Sequence, residues 1–274
     1  MSIAVDAPAS PAPVPHVLSV RGLPAERIPT RRLVGVELRK MFDTRSGFWL
    51  ITGGAILAAV ATVAIVLFAS DDDLAYGAFA AAIGMPLSVL LPMTAILAVT
   101  SEWSQRTGLA TFTLVPHRGR VIRVKLAATL LVGAASIVLA FAIGALGNVI
   151  GSQIAGIPMT WDMSAGHVAT IFVANGLGML AGFTLGVLIR NSPGAIVAYF
   201  VYALVLPAAL GALASAQPWF RDLQGWVDFQ FASTRLYDEH VAGQDWAHLG
   251  TSGLIWLVVP LAIGLRLVVR SEVK

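Results

Sequence analysis

The chain has 274 residues, is 57% hydrophobic and only 12% charged, whereas ordinary soluble domains are about one quarter charged. A soluble core this short cannot bury so much apolar surface, and with a mean hydropathy of +0.79 most of the chain requires lipid as its solvent. The net charge of +3 does not argue for nucleic acid, because the bases flank apolar spans; the absence of cysteine excludes disulfides, thiolate nucleophiles and Cys-based metal sites.

Residues 1–29 are rich in proline where a cleavable signal would have an apolar stretch. Their composition cannot pack a core and reads as a disordered tether. The segment 30–45, TRRLVGVELRKMFDTR, then places Val34, Leu38, Met41 and Phe42 on one helical stripe. Arg31, Arg32, Arg39, Lys40 and Arg45 fall mostly elsewhere or at its rim. A helix of that kind lies in the membrane interface, apolar side down. The alternative is a plain extension of the first span.

Crossing a bilayer takes roughly 20 apolar helical residues, and six segments qualify: 47–69, 78–100, 126–150, 168–189, 194–216 and 251–269. They are continuously apolar rather than alternating, so they are helices and not barrel strands. Pro86 and Pro92 in the second span and Pro207 in the fifth should kink or unwind their helices. Gly178, Gly182 and Gly186 share one face of the fourth span, and Gly147 and Gly151 end the third. Such faces let backbones approach, within the chain or across a dimer seam.

Lysine and arginine counts orient the spans. Arg31, Arg32, Arg39, Lys40 and Arg45 precede the first span. The 101–125 loop holds five more bases, Arg190 follows the fourth span, and Arg270 and Lys274 close the chain. On the other side, SDDDLAYG at 70–77 and the loop 151–167 carry no lysine or arginine. The 217–250 loop has more acids than bases. The expectation is a multi-pass cell-membrane protein with both termini cytoplasmic. Trp49, Trp103, Trp161, Trp219 and Trp246 fall at or just beyond span ends, as headgroup-level rings do. In the long outer loop, PWFRDLQGWVDF at 218–229 has helical apolar spacing and predicts a short amphipathic helix.

The loop 101–125, SEWSQRTGLATFTLVPHRGRVIRVK, is the densest polar stretch, with Glu102 at its entry, Arg106, Arg118, Arg120, Arg123 and Lys125 along it and Pro116 at its turn. A crowded polar loop on the positive side implies business with a soluble partner there. Recognisable catalytic patterns are absent. None of Lys40, Lys125 and Lys274 follows a glycine, so no Walker A loop exists, and neither HExxH nor GxSxG occurs. The five histidines stand at unrelated spacings, which argues against a metal site. No cofactor is expected. An ordinary solvated loop accounts for Asp71, Asp72 and Asp73 better than a cation site does.

This order of parts resembles the permease subunit of ABC exporters of the type-2 class. In that family an interfacial elbow helix precedes six spans, the loop after the second span forms a coupling helix, and an outer helical cap precedes the sixth. The match covers roughly residues 30–270. The family's cytoplasmic pattern is similar to Glu102, Thr107, the stretch TFTLVP ending at Pro116, Arg118 or Arg120, and Lys125. Gln-Arg stands where a glycine commonly precedes the threonine, with Gly108 just after it. The resemblance implies an all-α, non-enzymatic permease paired with a second permease chain, identical or not, and driven by a separate ABC ATPase. It implies that Glu102, Arg106, Thr107, Pro116, Arg118, Arg120 and Lys125 form the ATPase-coupling loop. Positive-inside anchoring is the competing account of Arg123 and Lys125, and a helix-end partner for a nearby base is that of Glu102. The alternative functions are an ion- or proton-coupled secondary carrier, disfavoured by the lack of acids, lysines or histidines inside the spans, and a membrane sensor or assembly protein.

Overall fold

The computed structural model describes residues 28–70, 74–104 and 118–270. The amphipathic segment forms α1, Thr30–Asp43. Thr44 adopts an extended backbone that ends α1, and its hydroxyl accepts from Gly47 N to cap α2, Arg45–Phe68. A Cβ at Gly47 would stand 2.0 Å from the Met41 carbonyl oxygen, so only glycine permits this tight corner. The remaining long helices are α3, Tyr76–Ser104, α4, Arg118–Ala155, and α5, Ala165–Ile189. They are followed by α6, Ser192–Phe200, and α7, Leu206–Ala216, which continue one another across a π-turn at Val201–Val205. Two short helices follow, α8, Pro218–Val227, and α9, Phe229–Thr234. The chain closes with α10, Gly243–Gly253, and α11, Val259–Arg270, joined through a second π-turn at Leu254–Val258. No strand occurs among the described residues.

The fold is therefore all-α, with six helices long and apolar enough to cross a membrane, and the protein is a multi-pass membrane protein. The helices outrun the apolar segments read from the sequence. The third reaches from Arg118 to Ala155, and the sixth starts at Gly243 rather than near 251. Hydropathy marks only the stretch that suits lipid, while backbone hydrogen bonding carries each helix on into polar surroundings. The amphipathic helix expected at 218–229 is α8, with Phe220, Gln224 and Gly225 on its buried side.

Proline behaves in two ways. α3 runs through Pro86 and Pro92 as one helix, so of the kinking or unwinding expected there, unwinding does not occur. Pro207 and Pro260 each follow a π-turn. A proline ring collides with the carbonyl four residues back, and a widened turn gives it room.

α3 is the central helix, packed on α2, α4, α5 and α6. Its contact with α5 depends on the glycine face. A Cβ on Gly182 would lie 2.6 Å from the Pro92 carbonyl oxygen, and one on Gly178 3.6 Å from the Pro92 ring. The face seats α3 within the chain. Gly147 and Gly151 likewise admit Phe79, with Thr62 and Val66 of α2. Ile83, Leu87, Leu91 and Val99 of α3 bury themselves against Met179, Phe183 and Val187 of α5. By contrast only 6% of the most apolar stretch of the α6–α7 span is buried, so its surroundings are lipid or another chain.

Polar contacts sort the connections into two ends. Thr100 and Ser192 hydroxyls lie 2.7 Å apart, placing the α5–α6 turn with Arg190 beside the end of α3. At the opposite end Gly77 N donates to Asp162 at 2.7 Å, and His167 Nε2 stands 3.0 Å from the Tyr237 carbonyl oxygen. The base-rich and base-poor connections thus lie at opposite ends of the bundle.

Candidate functional site

The site forms where α1 crosses the ends of α3 and α4. Helical spacing puts Val34, Glu37 and Met41 on one stripe of α1, and that stripe packs on α4 and α2. A carboxylate therefore sits in the middle of a face otherwise apolar, and Glu37 is buried. Lys40 follows one turn later, Glu102 occupies the last turn of α3, and Lys125 lies two turns into α4.

These four side chains make one cluster. Lys125 Nζ donates to Glu37 Oε2 at 2.6 Å and to the Ala98 carbonyl oxygen at 3.2 Å. Lys40 Nζ donates to Glu37 Oε1 at 2.8 Å. Glu102 Oε1 lies 3.2 Å from Lys125 Nζ and 3.7 Å from Lys40 Nζ. Those two contacts are electrostatic rather than aligned hydrogen bonds, and this buried oxygen accepts none. The side chains of Lys125 and Glu102 are only 4% and 5% exposed, whereas that of Lys40 is 46% exposed.

Burial by itself would raise the Glu37 carboxyl. The Lys125 charge and hydrogen bond, followed by those of Lys40, outweigh it and hold the group below its ordinary value. Two carboxylates and two ammonium groups balance, so little net charge is removed from water. Such a cluster adds modest net stability while intact and becomes costly when one member is lost. It also ties three helices at defined points.

The residues expected in the coupling loop divide into three groups. Arg106, Thr107 and Pro116 lie outside the described residues, as does the segment where a coupling helix is expected. Arg118 is the first residue of α4. Arg120 Nη2 donates to the Ile28 carbonyl oxygen and to Thr30 Oγ1, and so fastens α4 to the start of α1. Glu102 and Lys125 come together, but inside the chain, and their present partners are each other, Glu37 and Lys40. Arg123 is exposed and bonds its own helix at the Gly119 carbonyl oxygen.

Sequence reasoning missed Glu37. Its signal was the acid three residues after Val34, four before Met41 and one turn before Lys40, since an acid on an apolar stripe needs a buried cation. Among the described residues no group of three or more His, Asp or Glu side chains is placed to hold a metal. Chemically, the arrangement makes a charged joint. Glu102 and Lys125 bracket the segment 105–117, and both engage α1 through Glu37 and Lys40. Compared with protein families and with curated proteins, the chain finds no match.

Proposed function

We propose that this chain is the permease subunit of an ATP-driven ABC exporter. It forms the substrate path with a second permease chain, and a separate ATPase drives it from the cytoplasm through the loop 101–125. The observation that carries the reading is the charged joint of α1, α3 and α4. A soluble motor that pushes on the 105–117 segment acts on two helix ends, and the Glu37–Lys125–Glu102 cluster passes the displacement to α1 as well. Without such a joint the displacement would reach α3 and α4 but not α1. The excess of lysine and arginine at this end supports a cytoplasmic position for the joint. The protein itself catalyses no reaction in this reading.

A proton- or ion-coupled carrier is the second reading, favoured by the buried carboxylates Glu37 and Glu102. They lie at one end of the bundle, on α1 and in the last turn of α3, rather than midway along the spans where coupling sites in carriers usually lie. The position favours the exporter.

Charge reversal tests the coupling. Arg118→Glu is the cleaner variant, because Arg118 opens α4 whereas Glu102→Lys would gather three ammonium groups in a buried cluster. Reconstituted with its ATPase, Arg118→Glu should insert normally but lose at least about tenfold in transport per ATP hydrolysed, as repulsion replaces attraction at the contact. Normal coupling with normal insertion would remove this residue from the contact. Altered topology with intact coupling would reduce its role to anchoring.

A further inference from the structure

A groove of about 220 Å³ lies between the start of α1 and the start of α4, lined by Thr30, Val34, Arg120, Arg123, Val124 and Ala127. Helical spacing sets Arg120, Arg123 and Ala127 on a different face of α4 from Lys125, so the groove is separate from the ion cluster. Both of its arginines are held from behind. Arg120 Nη2 donates to the Ile28 carbonyl oxygen and, at 3.1 Å, to Thr30 Oγ1. Arg123 Nε donates at 3.3 Å to the Gly119 carbonyl oxygen, one turn back. Each guanidinium is thereby oriented, yet Nη1 of Arg120 and both Nη atoms of Arg123 make no hydrogen bond with a described residue. Neither arginine has a described carboxylate as ion-pair partner, because Glu37 and Glu102 face Lys40 and Lys125 instead. Arg123 is exposed, so its donors are within reach of a ligand. Beyond the arginines the wall turns apolar. Ala127, Leu130 and Leu131, one and two turns after Arg123, are exposed. From Arg123 to Leu131 α4 rises about 12 Å, within the roughly 15 Å of one leaflet's hydrocarbon.

We infer that this groove binds the headgroup of one anionic phospholipid, of the chemistry of phosphatidylglycerol, from the adjoining leaflet. Its phosphate oxygens accept from Arg120 and Arg123, whose planar forks suit that geometry. Thr30 Oγ1 accepts from Arg120 and keeps its own hydrogen for a further phosphate oxygen. One acyl chain lies along Ala127, Leu130 and Leu131. The groove is smaller than a drug-sized site, which fits a headgroup whose chains remain outside in the bilayer. Its level is that of headgroups, since α4 becomes continuously apolar from residue 126, and basic pockets between helices at a membrane face take anionic heads. Charge selects the class of lipid. A zwitterionic headgroup brings the same phosphate together with a cation, which meets two guanidinium groups and no unpaired described carboxylate. The groove is complete within one chain, so this inference stands apart from the export reading.

Native mass spectrometry of the full chain in a neutral detergent tests this. The probes are dioleoylphosphatidylglycerol and dioleoylphosphatidylcholine, which share their chains and phosphate, with inorganic phosphate in large excess as the free anion. The expected result is one phosphatidylglycerol bound saturably and at least about tenfold tighter than phosphatidylcholine, the ratio that one charge-assisted hydrogen bond supplies. Arg123→Gln should lower the phosphatidylglycerol affinity about tenfold and leave that for phosphatidylcholine unchanged. Arg123 is exposed and bonds only its own helix among the described residues, so the variant keeps the fold. Arg39→Gln removes an equal charge from the side of α1 away from Thr30 and Val34 and should leave both affinities as they are. Equal binding of the two lipids, or undiminished phosphatidylglycerol binding to Arg123→Gln, would overturn the assignment. An equal loss in Arg39→Gln would reduce it to diffuse attraction between a basic surface and anionic lipid. Displacement of the lipid by phosphate alone would make a free anion the occupant and overturn the lipid assignment.

Discussion

Replacing Lys125 by methionine removes the cation held between Glu37 and Glu102 and keeps most of its apolar stem. At 2.6 Å the Lys125–Glu37 attraction is about 6 kcal/mol for an effective dielectric of about 20. The cost of stripping both ions of water offsets much of that. The variant keeps the cost for the carboxylates and loses the compensation: their side chains are only 11% and 5% exposed. Removing one member of a buried pair costs about 3–5 kcal/mol. Lys40, 2.8 Å from Glu37, remains as a substitute partner, so the expected loss is near the lower limit, about 3 kcal/mol. Reversible denaturant unfolding in micelles measures it. The double variant Glu37→Gln with Lys125→Met removes a stranded charge and should regain about 1–2 kcal/mol. Acid adds a second readout. In the wild type the Glu37 carboxyl is depressed in the fold, so its contribution is present above the ordinary value of 4.5 and is lost as pH falls through the lower folded value. Without Lys125 the depression shrinks, and the acid loss of stability should begin at higher pH. A stability loss below about 1 kcal/mol, typical of an exposed pair, together with an unmoved acid limb, would refute the description of a buried, coupled cluster.

Two further outcomes follow from other parts of the molecule. Gly182→Val meets the Pro92 carbonyl oxygen, 2.6 Å from the position of a new Cβ, and overpacking of this kind costs about 1–3 kcal/mol. Gly176→Ala, with no neighbour within 4 Å of its Cβ, should be neutral or slightly stabilising in the same unfolding assay. In a chain with no native cysteine, single cysteines at Asp72 and Gln244 should react with an impermeant maleimide in intact cells and one at Gln105 should not. The reverse pattern would invert the topology.

The bundle was legible because lipid imposes long apolar runs, and the six runs stand apart in the sequence. Helix ends were less legible, since Arg118–Arg123 reads as loop by charge and yet continues α4. Prolines were legible only in part. Pro207 disturbs its helix through a π-turn as expected, whereas α3 carries Pro86 and Pro92 without a break. The glycine face on α5 was visible as a spacing, but its choice of α3 as partner depends on where Pro92 stands in space. For the candidate site, Glu102 and Lys125 drew attention through local charge density. Their pairing across 23 residues, and the part played by Glu37 far earlier in the chain, are tertiary facts with no local period to betray them.

The central claim is that a separate ATPase drives this chain, and recovering the native assembly tests it most directly. The protein is extracted from its own membranes in mild detergent, and the chains that accompany it are identified and counted. The account predicts an ABC ATPase subunit in a fixed ratio, ATP hydrolysis that appears only with that subunit, and substrate movement that stops when ATP is withheld. Recovery of the chain with no ATPase, together with uptake into vesicles driven by a proton gradient alone, would contradict it.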